Sequence, residues 1–238
     1  MSMYWISNSN MMTTLTAKYD LKLGQHAVNF LVGTSYEHYK SERLYSKRTD
    51  FVSDGLEDIE QGNNISKDLP DGRGIVESKM LSYFGRINYS YKDRYLFEAN
   101  LRADASSRFH KDNRWGWFPS FSAGWRISEE SFMKPIAWLN NLKLRASYGT
   151  LGNINNVGYY DYFELLSSNA NYNFNDEPVK GVLEAQITNK TLGWETVALA
   201  DFGLDVDLFD NKLSVTADYY IKNTKDILLG YNVPAVTL

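Results

Sequence analysis

The chain has 238 residues, 43% of them hydrophobic and 15% aromatic, with a formal net charge of −4 and no cysteine. Its length is ample for a domain. The missing cysteines exclude disulfides, thiolate metal sites and cysteine nucleophiles, and an acidic balance without a basic block gives nothing that favours nucleic acid. No run of about 18 apolar residues exists, so no transmembrane helix is expected; the mean hydropathy of −0.42 leaves a membrane barrel open, because polar lumen residues and loops dilute the average.

In chain order, Met1 to Asn10 lacks the basic-then-apolar pattern of a secretion signal. From Thr14 an alternation begins, with Leu15, Ala17, Tyr19, Leu21 and Leu23 against Thr16, Lys18, Asp20 and Lys22. Gly24-Gln25 reads as a short turn into a strand with Val28, Phe30, Val32 and Tyr36 on one face. Alternation then stops, and Arg43 to Glu77 reads as a long polar loop carrying Asp50, Asp54, Glu57, Asp58 and Glu60. From Leu81 to Ile127 three long strands alternate cleanly. Leu81, Tyr83, Gly85, Ile87, Tyr89 and Tyr91 share one face, with Phe84 the one apolar residue opposite. Tyr95, Phe97, Ala99, Leu101 and Ala103 follow after a tight turn at Lys92-Asp93, and then Trp117, Pro119, Phe121, Ala123, Trp125 and Ile127. A period of two gives each strand one apolar and one polar face.

Glu129 to Asn140 reads as a connector with a helical turn, followed by a sixth strand at Leu142, Leu144, Ala146 and Tyr148. Asn153 to Trp194 is long and Asn-rich, with a short strand expected at Tyr159 to Leu165. Ala198 to Leu208 and Leu213 to Ile221 form the last two strands, around a hairpin signal at Asp210-Asn211. The expectation is all-β, with eight antiparallel up-and-down strands, short turns at one rim and long loops at the other. The connector at 129–140 is the misfit, a long link at the short-turn rim.

Two features point beyond an ordinary half-buried sheet. The strands approach the roughly 9 to 11 residues that a tilted strand needs to cross a bilayer. The apolar faces also begin and end in Tyr83, Tyr89, Tyr95, Trp117 and Trp125, as membrane–water interfaces favour.

The runs Ser82-Tyr83-Phe84-Gly85-Arg86-Ile87-Asn88-Tyr89, Ser106-Ser107-Arg108-Phe109, Asn113-Arg114-Trp115-Gly116-Trp117-Phe118-Pro119-Ser120 and Ala123-Gly124-Trp125-Arg126-Ile127-Ser128 closely resemble the barrel of SusC/RagA-type TonB-linked outer-membrane transporters. So do Leu142 to Gly149 and Leu192-Gly193-Trp194-Glu195-Thr196, and the resemblance spans about Leu15 to Pro234. It implies a bacterial outer-membrane barrel of about 22 strands around an N-terminal plug, pulled by a TonB-linked energy source. It also implies a SusD-like surface lipoprotein as lid, and oligosaccharide or peptide substrates taken up without an enzymatic reaction or a cofactor. Residues 1–238 show eight strands but no plug, TonB box, signal peptide or terminal aromatic strand at Val233 to Leu238, as an internal piece of barrel wall would. Two alternatives remain: a complete eight-stranded barrel, with the Leu15 strand paired to the Leu213 strand, and a soluble carbohydrate-binding β-sandwich.

No catalytic constellation stands out. His26, His38 and His110 lack metal-ligand spacing. The acidic group from Asp50 to Glu60 does not match a calcium loop, and Asp71-Gly72-Arg73-Gly74 reads as a plain turn rather than a phosphate loop. Asn64-Ile65-Ser66 and Asn189-Lys190-Thr191 match a glycosylation pattern that recurs by chance. Arg86, Arg94, Arg102, Arg126 and Arg145 fall on polar faces, among Glu98 and Asp104. An arginine exposed to lipid costs about 2 to 4 kcal/mol at the midplane, so these side chains are expected to face a lumen. There they either satisfy the wall by pairing with neighbouring carboxylates or grip a plug and line a solute path. Tyr159, Tyr160, Tyr162, Phe163, Tyr172 and Phe174, in the long loops, either stack on sugars and a lid or pack the loop on itself.

Overall fold

The computed structural model describes residues 2–47, 72–174, 177–184 and 188–230. The strands are β1 (Ser2–Leu23), β2 (His26–Lys47), β3 (Gly72–Tyr91), β4 (Tyr95–Ser106), β5 (Trp115–Arg126), β6 (Leu139–Asn153), β7 (Leu166–Phe174), β8 (Glu177–Glu184), β9 (Glu195–Leu208) and β10 (Leu213–Lys225). Eight of them form one sheet in the order β1-β2-β3-β4-β5-β6-β9-β10, antiparallel throughout. The sheet is open, with β1 and β10 at its edges, which disposes of the closed eight-stranded barrel.

Register carries one apolar face across the whole sheet. Leu21 pairs with Val28, Val28 with Tyr89, Tyr89 with Phe97 and Phe97 with Ala123. The row continues from Ala123 to Ala146, Phe202 and Tyr219. A one-residue slip at any pair would turn a strand's apolar set to the wrong side. That face has no second layer: Leu15 is 72% exposed, Trp117 63% and Phe121 57%. Among the described residues only Ala103, Phe109, Phe118 and Val157 are buried apolar side chains. A soluble sandwich would have packed those faces together.

The tight turns fall where the turn residues predict. Leu23 pairs with His26 across Gly24, whose φ is 60°. Lys92 and Asp93 both have positive φ, as do Asp210 and Asn211, the dihedral sign that a type I′ turn needs to match strand twist.

Several expected boundaries move. β1 starts at Ser2 rather than Thr14, and β2 and β3 run to Lys47 and from Gly72, through stretches expected as loop. At 22, 22 and 20 residues, these strands are about twice the length that crosses a bilayer. Their outer halves lose alternation because they carry polar groups on the face that is apolar below. His38 bonds Glu77 at 2.6 Å, Lys79 pairs with Glu77 at 3.2 Å, and Glu42 pairs with Lys40 and Arg73. Gly72-Arg73-Gly74 is therefore strand rather than turn. The acidic group Asp50 to Glu60 and the site at Asn64 lie outside the described residues, as do Asp71 and Val233 to Leu238. Tyr159 to Leu165 forms turns instead of a strand; β7 and β8 pair as a separate hairpin just beyond it.

Candidate functional site

The polar face gathers most of the predicted charged residues on adjacent strands. Arg86 of β3 lies opposite Asn100 of β4, and its Nε–H donates to Asn100 Oδ1 at 2.7 Å. The Asn100 amide donates to Glu98 Oε1 at 2.7 Å and to Ser120 Oγ at 3.2 Å. Arg102 Nε–H is shared between the two Asp104 oxygens at 2.7 and 2.8 Å, and its Nη2 donates to the buried Ser82 hydroxyl at 2.9 Å. Arg145 of β6 reaches Asp201 and Asp205 of β9 at 3.4 and 3.2 Å and Asp218 of β10. These arginines are bonded within the wall, the arrangement expected where cross-strand partners satisfy it. A hollow of about 790 Å³ on this face is lined by Arg86, Glu98, Asn100, Arg102, Asp104 and Phe118, among others.

Phe84, the apolar exception on this face, is explained by Gly33. The two are register partners, and a Cβ on Gly33 would fall 2.4 Å from Phe84 Cζ. The ring lies over the backbone that glycine leaves bare, with Arg102 5.7 Å from its centroid.

Arg94 and Arg126 are placed differently. Arg94 belongs to the Lys92–Arg94 turn rather than a strand face, and its Nη1 donates to Glu130 Oε2 at 3.1 Å. Arg126 ends β5 beside Glu129 at 3.7 Å and donates to the Asp93 carbonyl at 3.3 Å. Glu130 is the residue that sequence reasoning missed. Its carboxylate also accepts from Tyr95 Oη at 2.7 Å and Trp125 Nε1 at 3.3 Å. Tyr95 and Trp125 are register partners on the apolar face, so Glu130 clasps the connector to that side of the short-turn rim. The Tyr95 hydrogen bond, with those of Trp125 and Arg94, holds the Glu130 carboxyl below its ordinary value. Lys134 does the same for Glu129.

At the loop rim Phe109 (0% exposed) and Phe118 pack against Trp194, with ring centroids 5.2 and 5.3 Å away. Arg108 Nη1 donates to the Val157 carbonyl at 3.1 Å, and its guanidinium lies 4.3 Å from the Tyr159 ring centroid. Tyr159 also stacks on Tyr39 at 6.0 Å. The Tyr160 hydroxyl accepts from the Glu77 amide at 3.3 Å, and Tyr162 lies 4.4 Å from Phe163. Tyr159, Tyr160 and Tyr162 thus share one loop packed on itself and on β2 and β3. Tyr172 is apart from them, 70% exposed on β7. Phe174 ends that strand. Arg108 stood within a run with a family resemblance, but nothing in a single sequence reveals that it meets the 154–159 loop.

The aromatics assigned to interfaces all lie on the apolar face. Tyr83 stacks on Trp115 at 6.0 Å and pairs with Ala103 opposite Trp117 toward the loop rim. Tyr95 stacks on Trp125 at 6.4 Å near the short turns, where Tyr89 also bonds His26 at 2.8 Å. His38 and His110 have carboxylate neighbours, and among the described residues no group of three or more His, Cys, Asp or Glu is placed to hold a metal.

An antiparallel sheet with one continuous apolar face, aromatic at both rims, and one hydrogen-bonded polar face is a stretch of membrane β-barrel wall. The sequence matches the family described as TonB dependent receptor-like, beta-barrel over residues 2–237. The chain belongs to that family. It is 36% identical over 210 residues to TonB-dependent receptor P39 of Formosa agariphila, covering 88% of this chain and 20% of the relative. To TonB-dependent receptor SusC of Bacteroides thetaiotaomicron it is 32% identical over 231 residues, covering 96% of this chain and 22% of the relative. A structure of the RagAB peptide transporter superposes with a TM-score of 0.88 at 29% identity, covering 99% of this chain and 26% of that one. The chain spans about a fifth of the length of the curated relatives it matches.

Proposed function

We propose that this chain is part of the wall of a bacterial outer-membrane transporter of SusC/RagA type, which imports oligosaccharides or peptides with a SusD-like surface lipoprotein and is driven by a TonB complex acting on a plug. The chain performs no reaction of its own. The observation that carries this reading is the apolar face running from β1 to β10, opposite a face where Arg86, Arg102 and Arg145 each have a partner. In a barrel the first meets lipid and the second a lumen. Arg86, Glu98, Arg102, Asp104 and Arg145 then line that lumen, while Arg94 and Arg126 stand at its periplasmic end, since outer-membrane barrels keep their short turns there. The likeness to the RagAB peptide transporter favours peptides; oligosaccharides are the other class that the family resemblance implies.

The test is a strain deleted for the complete receptor, grown on oligosaccharides or oligopeptides as the limiting nutrient. Growth that is lost on one class, is restored by the receptor and is lost again when TonB is removed supports the proposal and names the substrate. Recovery of the receptor from the soluble fraction, or undiminished growth on every substrate, overturns it.

A further inference from the structure

The connector between β5 and β6 is the long link at a rim of short turns, and its placement suggests a use. On the apolar face this rim carries a row of rings on successive strands. His26 lies 4.7 Å from Tyr91, Tyr91 6.3 Å from Tyr95, and Tyr95 6.4 Å from Trp125. Beyond β5 the row runs out. The positions in register with Trp125 on β6, β9 and β10 are Leu144, Leu204 and Ala217, all aliphatic.

The connector brings rings to that gap. Trp138 stands 6.4 Å from Phe209, and the Phe209 amide donates to the Trp138 carbonyl at 2.9 Å. Trp138, Phe209 and Phe132 are 55%, 53% and 63% exposed. A run of three-residue turns stiffens the segment, with amides of Glu130, Met133, Ile136 and Leu139 donating to carbonyls three residues earlier at 2.9 to 3.2 Å. Its side of the rim is set by Glu130, whose carboxylate is held by Tyr95 and Trp125, themselves members of the ring row.

We propose that the connector is an interfacial anchor, with Phe132, Trp138 and Phe209 seated at the headgroup–acyl boundary of the phospholipid leaflet at the short-turn rim. The amphipathic indole of Trp138 is favoured at that depth, and phenylalanines beside it bury their apolar rings at the same headgroup–acyl boundary. The anchor completes a girdle that the strands leave open over β6, β9 and β10. Glu130 positions it without touching lipid tails, its charge matched by Arg94. The inference rests on the barrel-wall reading, because only then does lipid lie on the apolar side.

The test uses the complete receptor in phosphatidylcholine vesicles, with single cysteines introduced as Phe132→Cys, Trp138→Cys and, for reference, Phe97→Cys. This chain has no cysteine of its own. Each variant is labelled with bimane and quenched either by a phosphatidylcholine carrying a nitroxide near its carbonyls or by aqueous iodide. Labels at 132 and 138 are expected to lose more emission to the nitroxide lipid than to iodide. Adding Glu130→Ala is expected to reverse that order at 132 and leave the label at 97 lipid-quenched. A label at 97 quenched by lipid beside labels at 132 and 138 quenched by iodide, or shielded from both quenchers by another protein, overturns the anchor alone. A label at 97 open to iodide overturns the barrel-wall reading beneath it.

Discussion

A Cβ added to Gly152 would lie 2.2 Å from Phe118 Cζ and 2.7 Å from Trp194 Cε3. Phe118 is buried beneath Trp194 and has little room to give. Gly152→Ala is therefore expected to destabilise the complete receptor by about 1 to 3 kcal/mol, the usual cost of overpacking. Gly74→Ala is the control, since nothing lies within 4 Å of its added Cβ. Denaturant unfolding in detergent measures both, and equal midpoints would remove the steric account of the loop-rim cluster. The polar-face residues were partly legible in the same way. Alternation alone put Arg86, Glu98, Arg102, Asp104 and Arg145 on the non-apolar side, but it could not choose their partners. Arg145 reaches Asp218, 73 residues away, a distance over which no periodic pattern carries information.

Among the elements, the connector shows where sequence reading stops. Its length and its helical turn were visible, but its clasp was not, because Tyr95 lies 35 residues from Glu130. The clasp has a pH signature. Hydrogen bonding from Tyr95, Trp125 and Arg94 depresses the Glu130 carboxyl below its ordinary 4.5. A depressed carboxyl contributes stability that is complete above its unfolded value and is lost as pH falls through the folded one. Hydrogen exchange across residues 127–138 is therefore expected to accelerate as pH drops below about 4.5, beyond the intrinsic trend, and Glu130→Gln should abolish that extra acceleration. An unchanged profile in the variant would show that Glu130 does not hold the connector.

The strands themselves were easy to find wherever one face meets lipid and the other water, because that environment enforces a period of two. β1, β2 and β3 continued past the expected ends for the complementary reason: once the outward face carries His38, Lys40, Glu42, Glu77 and Lys79, nothing requires alternation. β7 and β8 lie in an Asn-rich stretch with the same lack of contrast, so its sequence reads as loop. The two faces also predict opposite responses to charge. Phe121→Arg places an arginine near the middle of the apolar band and is expected to cost about 2 to 4 kcal/mol of folding into vesicles. Ser122→Arg, one residue on and facing the other way, is expected to cost far less. Equal penalties would mean that the faces are misassigned.

At the scale of the whole molecule, the proposed function requires that the apolar face, exposed across eight strands, be solvated by lipid and that the face bearing Arg86 and Arg102 line a lumen. Burial supports it, since a chain of 238 residues with four buried apolar side chains among its described residues has no core sufficient to hold an isolated sheet in water. The most direct measurement is nitroxide scanning along β4, one residue at a time from Phe97 to Asp104, in the complete receptor embedded in vesicles. High collision rates with oxygen are expected at Phe97, Ala99 and Leu101, and low rates at Glu98, Asn100, Arg102 and Asp104, with Ala103, 5% exposed between its neighbours, the one shielded position of the apolar face. A profile without that two-residue period, or with uniform access to a water-soluble relaxer, would contradict it.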